Sequence, residues 1–187
     1  EKYQVKENVL FDKEGKKLLF YPRGLQNEYY FIPSTVKEIE QKSFIMNDIE
    51  LIQFSNQVNI ISESLNYGNK YLTTLYIPEI MNYIDSYSFS FSESLETVII
   101  ASSSITIDSY AFYGCEKLKN VIIKSEIIEL GDNVFDNCKQ LKEIKVSKDF
   151  NNVNQLNGIE IKKVEIGKCG EECIYTIDEE NKLLSIY

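Results

Sequence analysis

The stretch LETVIIASSSITIDSYAFYGCEKL, residues 95–118, decides the architecture because the chain repeats it. Its apolar skeleton is Leu95, Val98, Ile100, Ile105, Ile107, Phe112 and Cys115. A shift of 23 residues returns Leu118, Val121, Ile123, Leu130, Phe135 and Cys138, and the reverse shift returns Leu72, Leu75, Ile77, Ile84 and Phe89. The same spacing carries Ile49, Leu72, Leu95, Leu118 and Leu141 in one column and Tyr29, Ile52, Leu75, Val98, Val121 and Ile144 in another. A third column holds Phe31, Phe54, Ile77, Ile100, Ile123 and Val146. A fixed period of this length marks a solenoid, whose units cannot bury their apolar faces alone and therefore stack.

Within a unit, Val98 and Ile100 alternate with Ile99 and Ala101, and β-branched residues dominate, so this segment reads as a short strand. One such strand is expected per period. The following IxxxAF segment suits a tight turn, a 3₁₀ stretch or an irregular loop. Stacking places the strands in a parallel sheet about 4.8 Å apart. Their inner side chains then pack on a ladder of Phe44, Phe89, Phe112 and Phe135, with Leu65 filling the second coil.

LxxVxI followed by IxxxAFxxCxxL resembles the BspA-like leucine-rich repeat of bacterial and protist surface proteins. Leu95–Leu118 and Leu118–Leu141 are the clean copies, Leu72–Leu95 has Ser92 in place of Cys, and Ile49–Leu72 offers only Gly68 near that place. Ile32-Pro33 with Val36, Ile39 and Phe44 resembles the family's IPxxVxxI entry. The resemblance implies a leucine-rich-repeat solenoid with about seven short parallel strands on the concave side and turns or irregular segments on the convex side. It also implies a non-catalytic adhesion or protein-interaction module, extracellular or on a cell surface. Its partners would be host-surface or matrix proteins, or other cells.

The flanking segments differ. Residues 1–28 contain Val9–Phe11 and Leu18–Tyr21 around an Asp-Lys-Glu-Gly turn, which predicts a hairpin capping the first coil. The repeats are assigned to residues 29–166, their register slipping through an Asn-rich loop (Asn151, Asn152, Asn154, Asn157) and recovering at Ile161, Val164 and Ile166. Residues 167–187 read as a second hairpin, the possible start of a further module. The chain opens at Glu1, without an initiator Met, as a processed or trimmed piece would.

Composition narrows the chemistry. The 187 residues carry a net charge of −9, which disfavours nucleic acid and anionic membrane surfaces, and no apolar run reaches a membrane span. With no His, the Ser-His-Asp and Cys-His arrangements are excluded. No phosphate-cradling glycine motif occurs, and the carboxylates are scattered, so neither enzyme nor cofactor is expected. Cys115 and Cys138 recur at one repeat position and read as stacked buried thiols, a disulfide being the rival. Cys169 and Cys173 flank a Gly-Glu-Glu turn, and a local disulfide is expected there. Neither spacing matches a zinc framework.

The strand positions facing away from the core form the expected binding face. Their middle column is Tyr30, Gln53, Tyr76, Ile99, Ile122, Lys145 and Glu165, bordered by Lys119 and Lys142. An apolar centre with a charged rim suits a protein partner. The competing reading is a solvated sheet whose Ile and Tyr serve β-propensity. A structural spacer and a carbohydrate-binding domain using exposed Tyr rings are the alternative functions.

Overall fold

The computed structural model describes residues 2–25, 28–150, 159–170, 173–178 and 183–186, and side chains over the same ranges except 127 and those from 168 onward. The expected Asn-rich loop therefore lies outside the described residues.

Chain order begins with β1 (Tyr3–Lys6), β2 (Val9–Asp12) and β3 (Lys17–Phe20), an antiparallel meander. Asp12 closes its turn by accepting the Lys16 and Lys17 N–H groups at 2.7 and 2.9 Å. Coils then alternate two strands. The concave series is β4 (Tyr29–Phe31), β6 (Leu51–Gln53), β8 (Thr74–Ile77), β10 (Thr97–Ile100), β12 (Asn120–Ile123) and β14 (Glu143–Ser147). The second series is β5 (Glu38–Ile39), β7 (Ile60–Ile61), β9 (Tyr83–Ile84), β11 (Ser104–Ile107) and β13 (Ile127–Leu130). The IxxxAF half of each repeat thus opens with a short strand that the sequence pattern did not separate from the turn. No helix occurs among the described residues.

The 23-residue register holds where it was read most clearly: Val98 pairs with Leu75 and Val121, and Ile100 with Ile77 and Ile123. Their inner side chains are fully buried, against a ring stack in which Phe89–Phe112 and Phe112–Phe135 centroids lie 5.6 and 5.5 Å apart. Leu65 interrupts that stack as expected and is itself fully buried. Leu18, Phe11 and Tyr21 join the same core, so the meander packs on the first coil.

Two register corrections follow. Tyr30, not Tyr29, pairs with Ile52, and Phe31 pairs with Gln53. The cause is local: Asn47-Asp48-Ile49 is one residue shorter than Asn69-Lys70-Tyr71-Leu72. The Ile49 N–H reaches the Asn47 Oδ1 at 2.9 Å, whereas Asn69 Oδ1 accepts from both Tyr71 and Leu72. Everything upstream of that turn is therefore shifted by one, which turns Tyr30 inward. Asn69, not Gly68, takes the Cys place of its coil, holding Asn47 and the Ile49 carbonyl through its amide. Downstream, β15 (Glu160–Gly170) pairs Ile161 with Ile144 and Val164 with Ser147, three residues from the expected alignment. Here the period no longer constrains pairing, because Ile161 and Val164 both fit an inward position. β16 (Cys173–Asp178) and β17 (Leu183–Ile186) complete antiparallel pairs beyond it.

The convex segments are held by a second ladder. Phe89 and Phe91 N–H groups donate to Ala111 and Tyr113 of the next coil at 2.8 Å, while Ser90 and Ser92 donate three residues back. This alternation needs two left-handed residues per coil: Lys42 and Met46, Ser64 and Gly68, Tyr87 and Phe91, Tyr110 and Gly114, Asn133 and Asn137. A non-glycine residue in that region costs roughly 1–2 kcal/mol. Met46 and Phe91 are accommodated by glycine in the following coil: a Cβ on Gly68 would lie 3.3 Å from Met46, and one on Gly114 only 2.8 Å from the Phe91 ring.

Two substitutions probe this arrangement. Ile100→Asp strands a carboxylate in the core and should abolish the cooperative thermal transition or fray the array from one end. A melt within a degree or two of wild type would refute the register. Gly114→Ala combines a strained φ of 71° with the Phe91 clash and should lower stability by about 1–2 kcal/mol in urea titration. Unchanged stability would show that the convex backbone relaxes freely.

Candidate functional site

The concave series is not one continuous sheet. β4 and β6 form one sheet, and β8, β10, β12, β14 and β15 belong to another. Proline chemistry removes one rung at the break. The Ala101 N–H donates to the Ile77 carbonyl and the Lys124 N–H to the Ile100 carbonyl, both at 2.9 Å. The residue at that position facing Phe54 is Pro78, which has no N–H to give.

A groove of about 600 Å³ opens at this break, lined by Phe31, Gln53, Phe54, Tyr76, Pro78 and Ile80, with Ser34, Ser55 and Asn56 supplying polar groups. A narrower crevice of about 50 Å³ runs between the strands, from Leu51 to Thr74. Phe31 and Ile80, large apolar side chains flanking the groove, are 63% and 47% exposed. Glu79 at its rim is held by Lys124, two coils away, at 3.1 Å.

The structure divides the residues expected on this face. Gln53 and Tyr76 line the groove together. Tyr30 does not: it is 7% exposed and packs against Tyr21 and Phe44, because of the shortened Asp48 turn. Its neighbours Tyr29 and Phe31 point outward instead. Ile99 and Ile122 do lie on the concave side but are 2% and 0% exposed. With Ala101 they form a second small core, on which Tyr76 and Ile166 pack from either side. They are a buried floor and present no contact surface. Lys119 and Lys142 are exposed and Lys145 is half-buried. Lys119 is paired with Glu96 at 2.6 Å, which holds that carboxyl below its usual range. Phe31 and Ile80 were not anticipated; the one-residue slip hid Phe31, and Ile80 follows a strand-ending proline where no pattern applies.

Cys115 and Cys138 are buried free thiols, each donating to a Phe carbonyl of the preceding coil, Phe89 at 3.2 Å and Phe112 at 3.3 Å. Interaction with the neighbouring Cys138 sulfur, together with burial, pushes the Cys115 thiol well up. The expected Cys169–Cys173 disulfide falls on side chains outside the described residues. In a Cys169→Ser/Cys173→Ser variant, maleimide should label neither remaining thiol in the native state and both after denaturation. Native labelling would show that these coils open, and none after unfolding would reveal a crosslink.

These features define a leucine-rich-repeat solenoid with an interrupted concave sheet. The chain belongs to the family described as the BspA type leucine rich repeat region, six copies of which match residues 19–89 and 66–175. Among solved structures, a leucine-rich repeat protein from Eubacterium ventriosum is similar over 86% of this chain and 48% of its own, with 23% identity and a TM-score of 0.70. The pneumococcal vaccine antigen PcpA is similar over 87% of this chain and 34% of its own, with 24% identity and a TM-score of 0.53. A leucine rich cell surface protein from Faecalibacterium prausnitzii is similar over 86% and 42%, with 20% identity and a TM-score of 0.53. The chain spans less than half the length of each of these structures. No curated protein of known function matches it significantly. Repeats of this family typically serve protein interaction or surface proteins and are generally non-catalytic. No helix among the described residues is long and apolar enough to cross a membrane.

Proposed function

We propose that this chain is a non-catalytic adhesion module of a cell-surface protein, binding protein partners through the concave groove between β6 and β8. The observation that carries this reading is the pairing of exposed Phe31 and Ile80 across a groove floored by Phe54 and Pro78. Such an arrangement offers an apolar anchor site with a polar rim, the anatomy of a protein-binding hot spot. Tyr76 sets one wall, fixed from behind by the Ile99–Ile122 core. Family membership and the cell-surface relative support an extracellular setting, with host-surface or matrix proteins, or other cells, as partners.

The test compares wild type with Phe31→Ser/Ile80→Ser for attachment to epithelial cells and to immobilised matrix proteins. Both side chains are exposed, so the melting temperature should stay within a few degrees. Attachment should weaken at least tenfold, about 1.4 kcal/mol. Equal attachment by the folded variant would remove the groove as the site and leave the concave sheet as a spacer.

A further inference from the structure

The convex side carries a feature that the concave reading does not use. Five rings touch in sequence across three coils: Tyr67–Phe91 at 5.4 Å, Phe91–Tyr113 at 5.3 Å, Tyr113–Tyr110 at 5.6 Å and Tyr110–Tyr87 at 5.0 Å between centroids. None belongs to the core cluster, and Tyr87 and Phe91 are 37% and 41% exposed. Three of the five, Tyr87, Phe91 and Tyr110, hold φ values of 56–61°, at positions that carry glycine, asparagine, serine, lysine or methionine in other coils. Large rings thus stand outside at left-handed positions that every coil of the array requires.

The turns that carry the rings also carry carboxylates. The Tyr110 N–H donates to the Asp132 carbonyl at 3.0 Å and the Gly114 N–H to the Asp136 carbonyl at 2.9 Å, which sets the backbones of both aspartates beside the turn from Tyr110 to Gly114. Neither carboxylate has an ion-pair partner among the described residues. Asp85 and Asp108 each precede a ring by two residues. Asp108 accepts the Ser109 N–H and the Tyr83 hydroxyl, which hold it below the usual carboxylate range and therefore charged. The cations nearby are consumed in pairs: Lys70 with Glu93 and Lys139 with Glu116.

The geometry points to the convex ring array as a second binding surface, for an arginine- or lysine-rich protein segment. Ring faces attract guanidinium and ammonium groups, and flanking carboxylates reinforce the attraction. An uncharged glycan would use the rings but gain nothing from the aspartates.

The test uses a fluorescein-labelled alternating Arg-Gly peptide, an uncharged Ser-Gly control and a cello-oligosaccharide, with binding followed by anisotropy or calorimetry. Tyr87→Gly/Phe91→Gly removes two rings while relieving their strained φ, so the variant should fold. Tyr87→Asn/Phe91→Asn, which copies Asn133 and Asn137, is the alternate if it does not. Either should weaken Arg-Gly binding at least about tenfold, and Asp132→Asn/Asp136→Asn should weaken it and flatten its salt dependence. Phe31→Ser/Ile80→Ser should leave peptide binding unchanged, so failure of the concave reading and failure of this one are separable. Equal peptide binding by wild type and the ring variants, or ring-dependent binding of the oligosaccharide without the peptide, would overturn the proposal.

Discussion

The main-chain hydrogen bond from one coil to the next is the interaction on which everything else depends. It runs along the concave strands, along the second series and, less conventionally, through the convex turns, where alternate N–H groups leave the coil and the others stay within it. Such bonds add little individually, but a buried group left without one costs far more. Register is therefore set at the scale of a single residue. Side chains of the period fill the core, and the ladder determines which of them can reach it.

That dependence explains what the sequence made legible. The columns through Val98, Ile100 and Phe112 repeat one residue type at one spacing, so pattern and pairing agree. Tyr30 was misread because aromatic residues at 29, 30 and 31 all fit an inward position, and the deciding turn at Asp48 lies far from them in sequence. Ile99 and Ile122 were correctly placed on the concave side, yet the side chain that closes over them, Ile166, comes from a strand outside the period. Periodicity reports which way a side chain points. It is silent on whether another segment then covers it.

The candidate groove has the same origin. Pro78 gives no sequence signal of binding; proline ends strands in many settings. Its effect appears only when the next coil is laid beside it and one rung of the ladder is missing. Two exposed apolar side chains, one displaced by the shortened turn and one following the proline, then converge on the gap. The groove is a product of departures from the repeat, and irregularities are where a repetitive scaffold can acquire specificity.

The column Met46, Gly68, Phe91, Gly114, Asn137 has a consequence for how such an array can change in length. In this column Met46 and Phe91 each lean over a glycine in the following coil, so successive coils alternate in shape here although they share a period. Deleting the coil that carries Gly68 would set Met46 against Phe91, and duplicating the one that carries Phe91 would stack two rings where one fits. In this column the unit that fits is consequently a pair of coils. Gene duplication or recombination that moves coils two at a time preserves the convex surface, whereas a shift by one must be accompanied by a compensating change to or from glycine.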